Sequence, residues 1–486
     1  MTLELNPTAT GQAMRATDVD EYSPYMGQVQ WLEGSHEDEV SFELIIRTMP
    51  EGYGYLVAAG LADSLQYLTE LRFTDEELAF MAAQPIVPGD PASGRLYDPG
   101  YIAYLRTLHF TGEVHALAEG TVVGAQVPIL RVTAPRVQAT VVEAALLATI
   151  NHATGVATKA ARIAGAAAGK PVWDGSLRRL PGVGAGVHTA RAAYIGGLAG
   201  TATVAAGMRL GIPTTGTMAH AWVQKFGEDG EQLAFETWLR HSPKRAVLLI
   251  DTYDVARGAA RAIAAGQATH SDLLGVRIDS GDLAAHARSV RDLLDASGMT
   301  ATTIMGSGDL DEFAIDDLER AGAPYDRYLV GTRLGNPGAL GDVYKLTQQH
   351  VADPGLRMVM KRAAGKQTDP GVHQVVSVAP GHQLITLAGE RSAAGGGLMR
   401  RVMAGGAITH VQPGLEQLRA YVAEQLAGLP PAIARLAAPE PIRVDRSAAL
   451  WRLRADLGSM PMHRQDPTAM LAAARHHPAH QAAPGG

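Results

Sequence analysis

The chain has 486 residues, 46% of them hydrophobic and 19% charged, with a formal net charge of −7 and no cysteine. Its length exceeds one ordinary hydrophobic core and points to two structural domains. The lack of cysteine excludes disulfides, thiolate catalysis and Cys-ligated zinc, and the acidic balance gives no electrostatic footprint for nucleic acid or an anionic membrane.

Residues 1–20 carry little pattern and are expected to form a loose arm. The opening Met1-Thr-Leu-Glu-Leu-Asn6 lacks the charged and apolar regions of a signal peptide, so the cytoplasm is the expected location. Ser41–Arg47 alternates as a strand does, and Pro50–Gly54 reads as a turn. Ala62–Leu71 and Asp75–Gln84 have helical spacing, with Thr74 as N-cap. Gly112–Leu117 and Val127–Val132 are β-like. Arg136–Gly165 is an Ala-rich helical region expected to break near Gly155. The apolar stretch Ala144–Ala168 is interrupted by Asn151, His152, Lys159 and Arg162, which suits a core helix and not a membrane span. A βα series follows from about residue 190 to 350. Val372–Val378 and Gln383–Leu387 return to strand text, and Leu415–Leu426 and Pro431–Leu436 look helical. Beyond about Leu457 periodicity is lost, and the His-containing end reads as a solvated, disordered tail. The expected organisation is a β-rich domain built from residues 21–135 and 352–457, an α/β barrel over 136–351, an arm at 1–20 and a tail at 458–486.

The βα series carries the chemistry. Ala246–Ile250 runs into Asp251-Thr-Tyr-Asp254, and Leu274–Ile278 into Asp279-Ser-Gly-Asp282. Thr302–Met305 meets Gly306-Ser-Gly-Asp309, and Tyr328–Val330 meets Gly331-Thr332. Parallel strands buried on both faces read as such continuous apolar runs, and their C-terminal ends carry the chemistry of α/β proteins. Carboxylates and Gly turns on one rim suit a phosphorylated sugar with a metal ion, because carboxylates accept from a sugar diol and bind Mg²⁺, while turn N–H groups cradle phosphate. The alternative for Asp279–Asp282 is an N-capped helix start, with Ser280 or Asp282 as the cap, and for Gly306–Asp309 and Val330–Arg333 it is a simple tight turn. His220, expected just after a strand end, is a candidate phosphoryl acceptor with Asp251 fixing its tautomer; the alternative is a structural histidine. Arg178-Arg179 and Lys159-Ala-Ala-Arg162 offer forks for carboxylate or phosphate, or else solvated basic faces.

From Tyr22 to Leu457 the chain resembles the nicotinate phosphoribosyltransferases, within the type II phosphoribosyltransferases. The resemblance rests on Gly216-Thr-Met-Ala-His220, Leu249-Ile-Asp-Thr-Tyr-Asp254, Gly275–Leu283, Ser307-Gly-Asp-Leu-Asp311, Val330-Gly-Thr332, Val343-Tyr-Lys-Leu346, Tyr194-Ile-Gly-Gly197, Phe42-Glu-Leu44 and Ala157–Ile163, in order and at matching spacing. It implies an irregular TIM-like α/β barrel beside a β-rich domain, in a homodimer with active sites shared between subunits. It implies transfer of phosphoribosyl from 5-phosphoribosyl-1-pyrophosphate to nicotinate in NAD salvage, with Mg²⁺ and with ATP acting through phosphorylation of His220. By position, the catalytic set is His220, Asp251 and Asp279, with Asp251 and Asp279 also indirect metal ligands. Arg277, Ser307, Gly308, Asp309, Gly331 and Thr332 would hold the donor and its phosphates. Arg178, Arg179 and Thr201 would face the acceptor, and Tyr22 would stack on the pyridine from the partner subunit.

The chain departs from the family text mainly on the acceptor side. Tyr22-Ser-Pro-Tyr-Met-Gly27, Asp174-Gly-Ser-Leu-Arg-Arg-Leu-Pro-Gly182, Gly200-Thr-Ala-Thr203 and Pro370–Ser377 replace family patterns, the last with loss of two cations. A changed pocket lip alters which ring or acid fits, since a buried unpaired polar group is heavily penalised. Two alternatives follow: a phosphoribosyltransferase of specialised metabolism using another aromatic acid or heterocycle, and a catalytically idle binder of the pyrophosphate donor that regulates a partner. Retention of His220, Asp251, Arg277 and Asp279 speaks against the idle binder.

Overall fold

Four of the apolar runs become adjacent parallel strands. The computed structural model describes residues 9–10, 14–351, 355–363, 365–390 and 395–459; the expected tail lies outside them from residue 460 on, and its first two residues, Gly458 and Ser459, close the helix Ala448–Ser459. One sheet has six parallel strands in the order Val247–Leu249, Gly275–Ile278, Thr303–Gly306, Arg327–Val330, Val172–Asp174 and Gly200–Thr201. Leu248, Leu249, Val276, Ile278 and Ile304 are fully buried, as strands covered on both faces must be. Helices Val255–Thr269, Leu283–Ala296 and Glu312–Arg320 follow the first three strands, each started by an aspartate. Asp254 accepts from the Arg257 N–H, Asp282 from Ala285, and Asp311 from Phe313 and Ala314, caps that each contribute about 1 kcal/mol. The strand expected before His220 does not form. Gly211–Ala219 gives only a parallel bridge of Thr214 to Thr201, since Pro213 beside it has no N–H to donate. The result is an irregular TIM-like α/β barrel.

The second sheet has seven antiparallel strands ordered Gly355–Met358, Asp342–Val351, Glu39–Ile46, Pro128–Pro135, Glu113–Ala116, Arg400–Ala404 and Ala407–Ile408. It draws on both sides of the barrel sequence and includes Asp342–Val351, which the expected boundaries place inside the barrel segment. His373–Ala379, His382–Leu387 and Arg443–Arg446 form a smaller sheet. The Ala-rich region breaks at Val142, between helices Arg136–Val141 and Glu143–Ala166, and not near Gly155. Gly155 is kept inside the helix, where a Cβ would come within 3.2 Å of the Pro337 ring. The described part of the expected arm is not loose: Ala9, Thr10 and Ala16 are buried, and the Thr10 N–H donates to Asp63 at 2.6 Å. No helix among the described residues is long and apolar enough to cross a membrane.

His373, one of the departures from the family text, is buried between the sheets. Its Nδ1 lies 2.6 Å from Glu43 Oε2 and its Nε2 3.2 Å from the Pro370 carbonyl, while Arg131 donates to the His373 carbonyl at 2.8 Å. Two acceptors demand a proton on both ring nitrogens. Burial opposes that charge, but Glu43 outweighs it and the imidazole pKa is raised. The stabilisation is therefore full below the unfolded-state value of about 6.5 and is lost as pH rises through the raised folded value. Unfolding midpoints of wild type and His373→Gln should converge as pH rises through that window; a gap independent of pH would contradict the assignment.

Candidate active site

The C-terminal ends of the parallel strands enclose a cleft of about 250 Å³. It is lined by Gly175, Arg178 and Arg179 from one side and by Asp279, Ser307, Gly308, Asp309, Gly331 and Thr332 from the other, with Leu329 and Val330 the apolar part of its wall. Residues from four strand ends thus converge on one space.

Asp279 is the hub. Its carboxylate accepts from the Ser307 hydroxyl at 2.5 Å, and its backbone N–H donates to Asp251 Oδ2 at 3.0 Å. The Ser280 hydroxyl donates to the same Asp251 oxygen at 2.6 Å. Asp251 Oδ1 is buried and has no hydrogen-bond partner among the described residues. Gly308 is required by this packing: it has φ +111°, and a Cβ there would stand 2.5 Å from the Asp279 carbonyl oxygen. Arg277 is buried, with Nε unpartnered among the described residues and one N–H reaching the Met218 carbonyl at 3.4 Å. Burial pushes its pKa down, and Asp279 and Asp251 push back.

His220 opens the short helix His220–Gln224. Its Nε2 lies 3.9 Å from Asp279 Oδ2, and its Nδ1 is 3.1 Å from the Thr252 hydroxyl. The partner expected from sequence, Asp251, is not the one found. Asp251 and Thr252 are consecutive residues at a strand end, and it is the second that meets the imidazole.

Other expectations divide. Arg178 and Arg179, on the turn Leu177–Arg179, reach the cleft. Thr201 does not: it is fully buried, its hydroxyl donates to Asp174 Oδ2 at 2.6 Å, and it accepts the Thr203 N–H at 3.0 Å. Tyr22 lies outside the cleft lining of its own chain, exposed at the start of helix Tyr22–Glu33. Lys159 and Arg162 are neither phosphate ligands nor solvated; both are buried on Glu312, with Arg162 Nε 3.0 Å from its Oε1 and the guanidinium 4.3 Å from the Tyr53 ring centre. Sequence reasoning missed Gly175 in the cleft wall and Thr252 beside His220. Gly175 stands three residues before Arg178 in a segment that already carried candidate residues, whereas nothing in the spacing marks Thr252.

A barrel rim that gathers carboxylates, paired arginines and Gly turns around one cleft defines an enzyme handling a phosphorylated sugar. Residues 17–151 match the family model of the nicotinate phosphoribosyltransferase N-terminal domain, and residues 389–454 that of the C-terminal domain. A nicotinate phosphoribosyltransferase of Mycobacterium tuberculosis is 37% identical over 372 residues, covering 76% of each chain. The human nicotinate phosphoribosyltransferase is 30% identical over 435 residues, covering 76% of this chain and 78% of that one. The crystal structure of human nicotinic acid phosphoribosyltransferase superposes with a TM-score of 0.76 at 25% identity, covering 90% of this chain and 99% of that chain. The chain belongs to the nicotinate phosphoribosyltransferase family, and it is an enzyme, a phosphoribosyltransferase.

Proposed function

We propose that the protein transfers the phosphoribosyl group of 5-phosphoribosyl-1-pyrophosphate to nicotinate, releasing pyrophosphate and forming nicotinate mononucleotide for NAD salvage. The observation that carries this reading is the convergence of Asp279, Ser307, Gly308, Asp309, Gly331 and Thr332 with Arg178 and Arg179 on one cleft. The printed names of the Mycobacterium tuberculosis and human relatives support nicotinate as the acceptor.

In this reading Gly308, Gly331 and Thr332 take the 5-phosphate, with Ser307 and Asp309 beside them. Asp279 holds the ribose diol, Arg277 offsets donor phosphate charge, and Arg178 and Arg179 grip the acceptor carboxylate. Cleaving the bond from C1 to pyrophosphate builds positive charge on the ribose as the acceptor ring nitrogen closes on C1. The protein's task is therefore to position reactants and screen charge, not to supply a strong base. In this reading the Asp279 carboxylate, which lines the cleft, stabilises that cation. Mg²⁺ suits the donor set: Asp251 presents a buried oxygen lacking a hydrogen-bond donor, Asp279 a second carboxylate, and no cluster of three potential ligand side chains occurs among the described residues, so substrate phosphates would complete the shell. When bound, the ion neutralises charge on the departing pyrophosphate.

ATP acts in this reading through phosphorylation of His220, held by Thr252 and facing Asp279. Tyr22, Tyr25, Met26, Val29 and Leu32 form an exposed apolar stripe on one helix, which supports a homodimer in which Tyr22 reaches the partner's acceptor site. We place the protein in the cytoplasm. A second reading has one observation in its favour: the cleft wall on the acceptor side is Gly175, without a side chain, and Thr201 is turned away to Asp174. That favours another aromatic acid or heterocycle as acceptor.

Turnover separates these readings. The protein with donor, Mg²⁺ and nicotinate should release pyrophosphate and form the mononucleotide, faster with ATP. His220→Ala should abolish the ATP stimulation and leave donor binding intact. Release only with a different acceptor would replace nicotinate, and tight donor binding without any release would indicate an idle binder. ATP dependence unchanged in His220→Ala would remove the role given to that residue.

A further inference from the structure

The cleft wall holds two apolar residues, and only one offers it a side chain. Along strand Arg327–Val330 successive side chains alternate in direction, and Tyr328 and Val330 are fully buried on one face. Leu329 points the other way, is half-buried, and lines the cleft. The rest of the wall is polar side chains and glycines.

Gly175 marks where Leu329 lies. Strands Val172–Asp174 and Arg327–Val330 are parallel neighbours, with Asp174 opposite Val330, and the Gly175 N–H donates to the Val330 carbonyl at 2.7 Å. A Cβ on Gly175 would stand 3.1 Å from Leu329 Cδ1 and 3.3 Å from its Cγ. Gly175 does not have a positive φ, so its backbone does not by itself demand glycine. What a side chain there would lack is the space that Leu329 fills.

Arg178 and Arg179 follow Gly175 by three and four residues and are exposed on that side of the cleft, while Asp279, Gly308 and Gly331 face it from the other. A planar acid with its carboxylate on the arginines and its ring turned towards the donor side meets one hydrocarbon surface on the way. An aliphatic side chain holds a ring by burial and dispersion and asks no hydrogen bond of it.

We infer, given the transfer to a ring carboxylate proposed above, that Leu329 seated over Gly175 is the surface on which the acceptor ring packs. Leu329 sets affinity for the acceptor and not for the pyrophosphate donor. Gly175 is a positioning residue, whose missing side chain leaves Leu329 in place.

Steady-state turnover of the intact protein with 5-phosphoribosyl-1-pyrophosphate, Mg²⁺ and nicotinate tests this. Leu329→Ala should raise the nicotinate KM about tenfold or more, with the donor KM within about twofold of wild type. Leu329→Met, which conserves volume, should keep the nicotinate KM within about threefold. Gly175→Ala should raise it about fivefold by pressing on Leu329, yet add less than about twofold in the Leu329→Ala background, where the pressed group is gone. A role in folding alone would move neither the KM split nor this coupling. If wild type uses a different ring acid, the same series is run with that acid. Wild type inert towards every ring acid would overturn the proposed function and this inference together. An active wild type whose acceptor KM is unchanged in Leu329→Ala, a donor KM that rises equally, or additive effects of the two substitutions would overturn the inference alone.

Discussion

Asp279→Asn is expected to lower the rate of pyrophosphate release by about 10²- to 10³-fold, the scale of removing one preorganised charge-stabilising group. The substitution keeps the shape, and the Ser307 hydroxyl, 2.5 Å from Oδ1, can still donate to the amide oxygen. What it removes is the negative charge facing the ribose and, 3.9 Å from His220 Nε2, the anionic neighbour of the imidazole. Asp282→Ala, three residues on, is the control. That side chain caps the helix Leu283–Ala296 by accepting the Ala285 N–H, so its loss should cost about 1 kcal/mol of stability and leave turnover within a few-fold. Steady-state assays with matched melting curves decide. Equal effects of the two substitutions, or an Asp279→Asn rate within threefold of wild type, would take the charge of Asp279 out of the reaction.

The pair also shows where the sequence is legible. Asp279-Ser-Gly-Asp282 could be read as a sugar-binding loop or as a capped helix start, and it is both: one aspartate faces the cleft while the other holds the helix. The four strand ends were readable because parallel strands buried on both faces leave unbroken apolar runs, each closed by polar turn residues. That rhythm carried the barrel and the donor half of the cleft. Side-chain direction at the rim was not readable. Asp251 and Thr252 are neighbours, and consecutive side chains at a strand end point to different sides, so spacing alone cannot say which meets His220. Long-range pairing is equally silent. Nothing near Lys159 or Arg162 marks Glu312 as their partner, and nothing near Thr201 shows that its hydroxyl is bound to Asp174. The helix through Gly155 misled for a related reason: its glycine answers to Pro337, far along the chain, and not to a local break.

The largest stability loss is expected for Glu119→Ala, about 3–5 kcal/mol, the cost of removing one partner of a buried ion pair. Glu119 and Arg191 are each 1% exposed at their side chains and joined by two parallel N–H to carboxylate bonds. The same carboxylate accepts the Gly60 and Leu61 N–H groups at the start of helix Leu61–Glu70, where the backbone itself offers no acceptor. One side chain therefore joins the β-rich part to helix Ala185–Ile195 of the barrel, which carries Arg191. In the variant, Arg191 loses both bonds to Glu119 while the field of Asp63 remains, and two helix-start donors are stranded in a dry interior. With total stabilities of domains near roughly 5–15 kcal/mol, such a loss is a large share of what keeps the chain folded. Glu113→Ala, which breaks the exposed contact with Arg401, should change stability by less than about 1 kcal/mol. Chemical denaturation of both variants tests the contrast, through a midpoint lowered at unchanged slope for Glu119→Ala. Glu119 is not among the residues lining the cleft, so turnover of the folded variant at low temperature should stay within tenfold of wild type. A midpoint shift no larger than that of Glu113→Ala would show that the buried pair does not hold the two parts together.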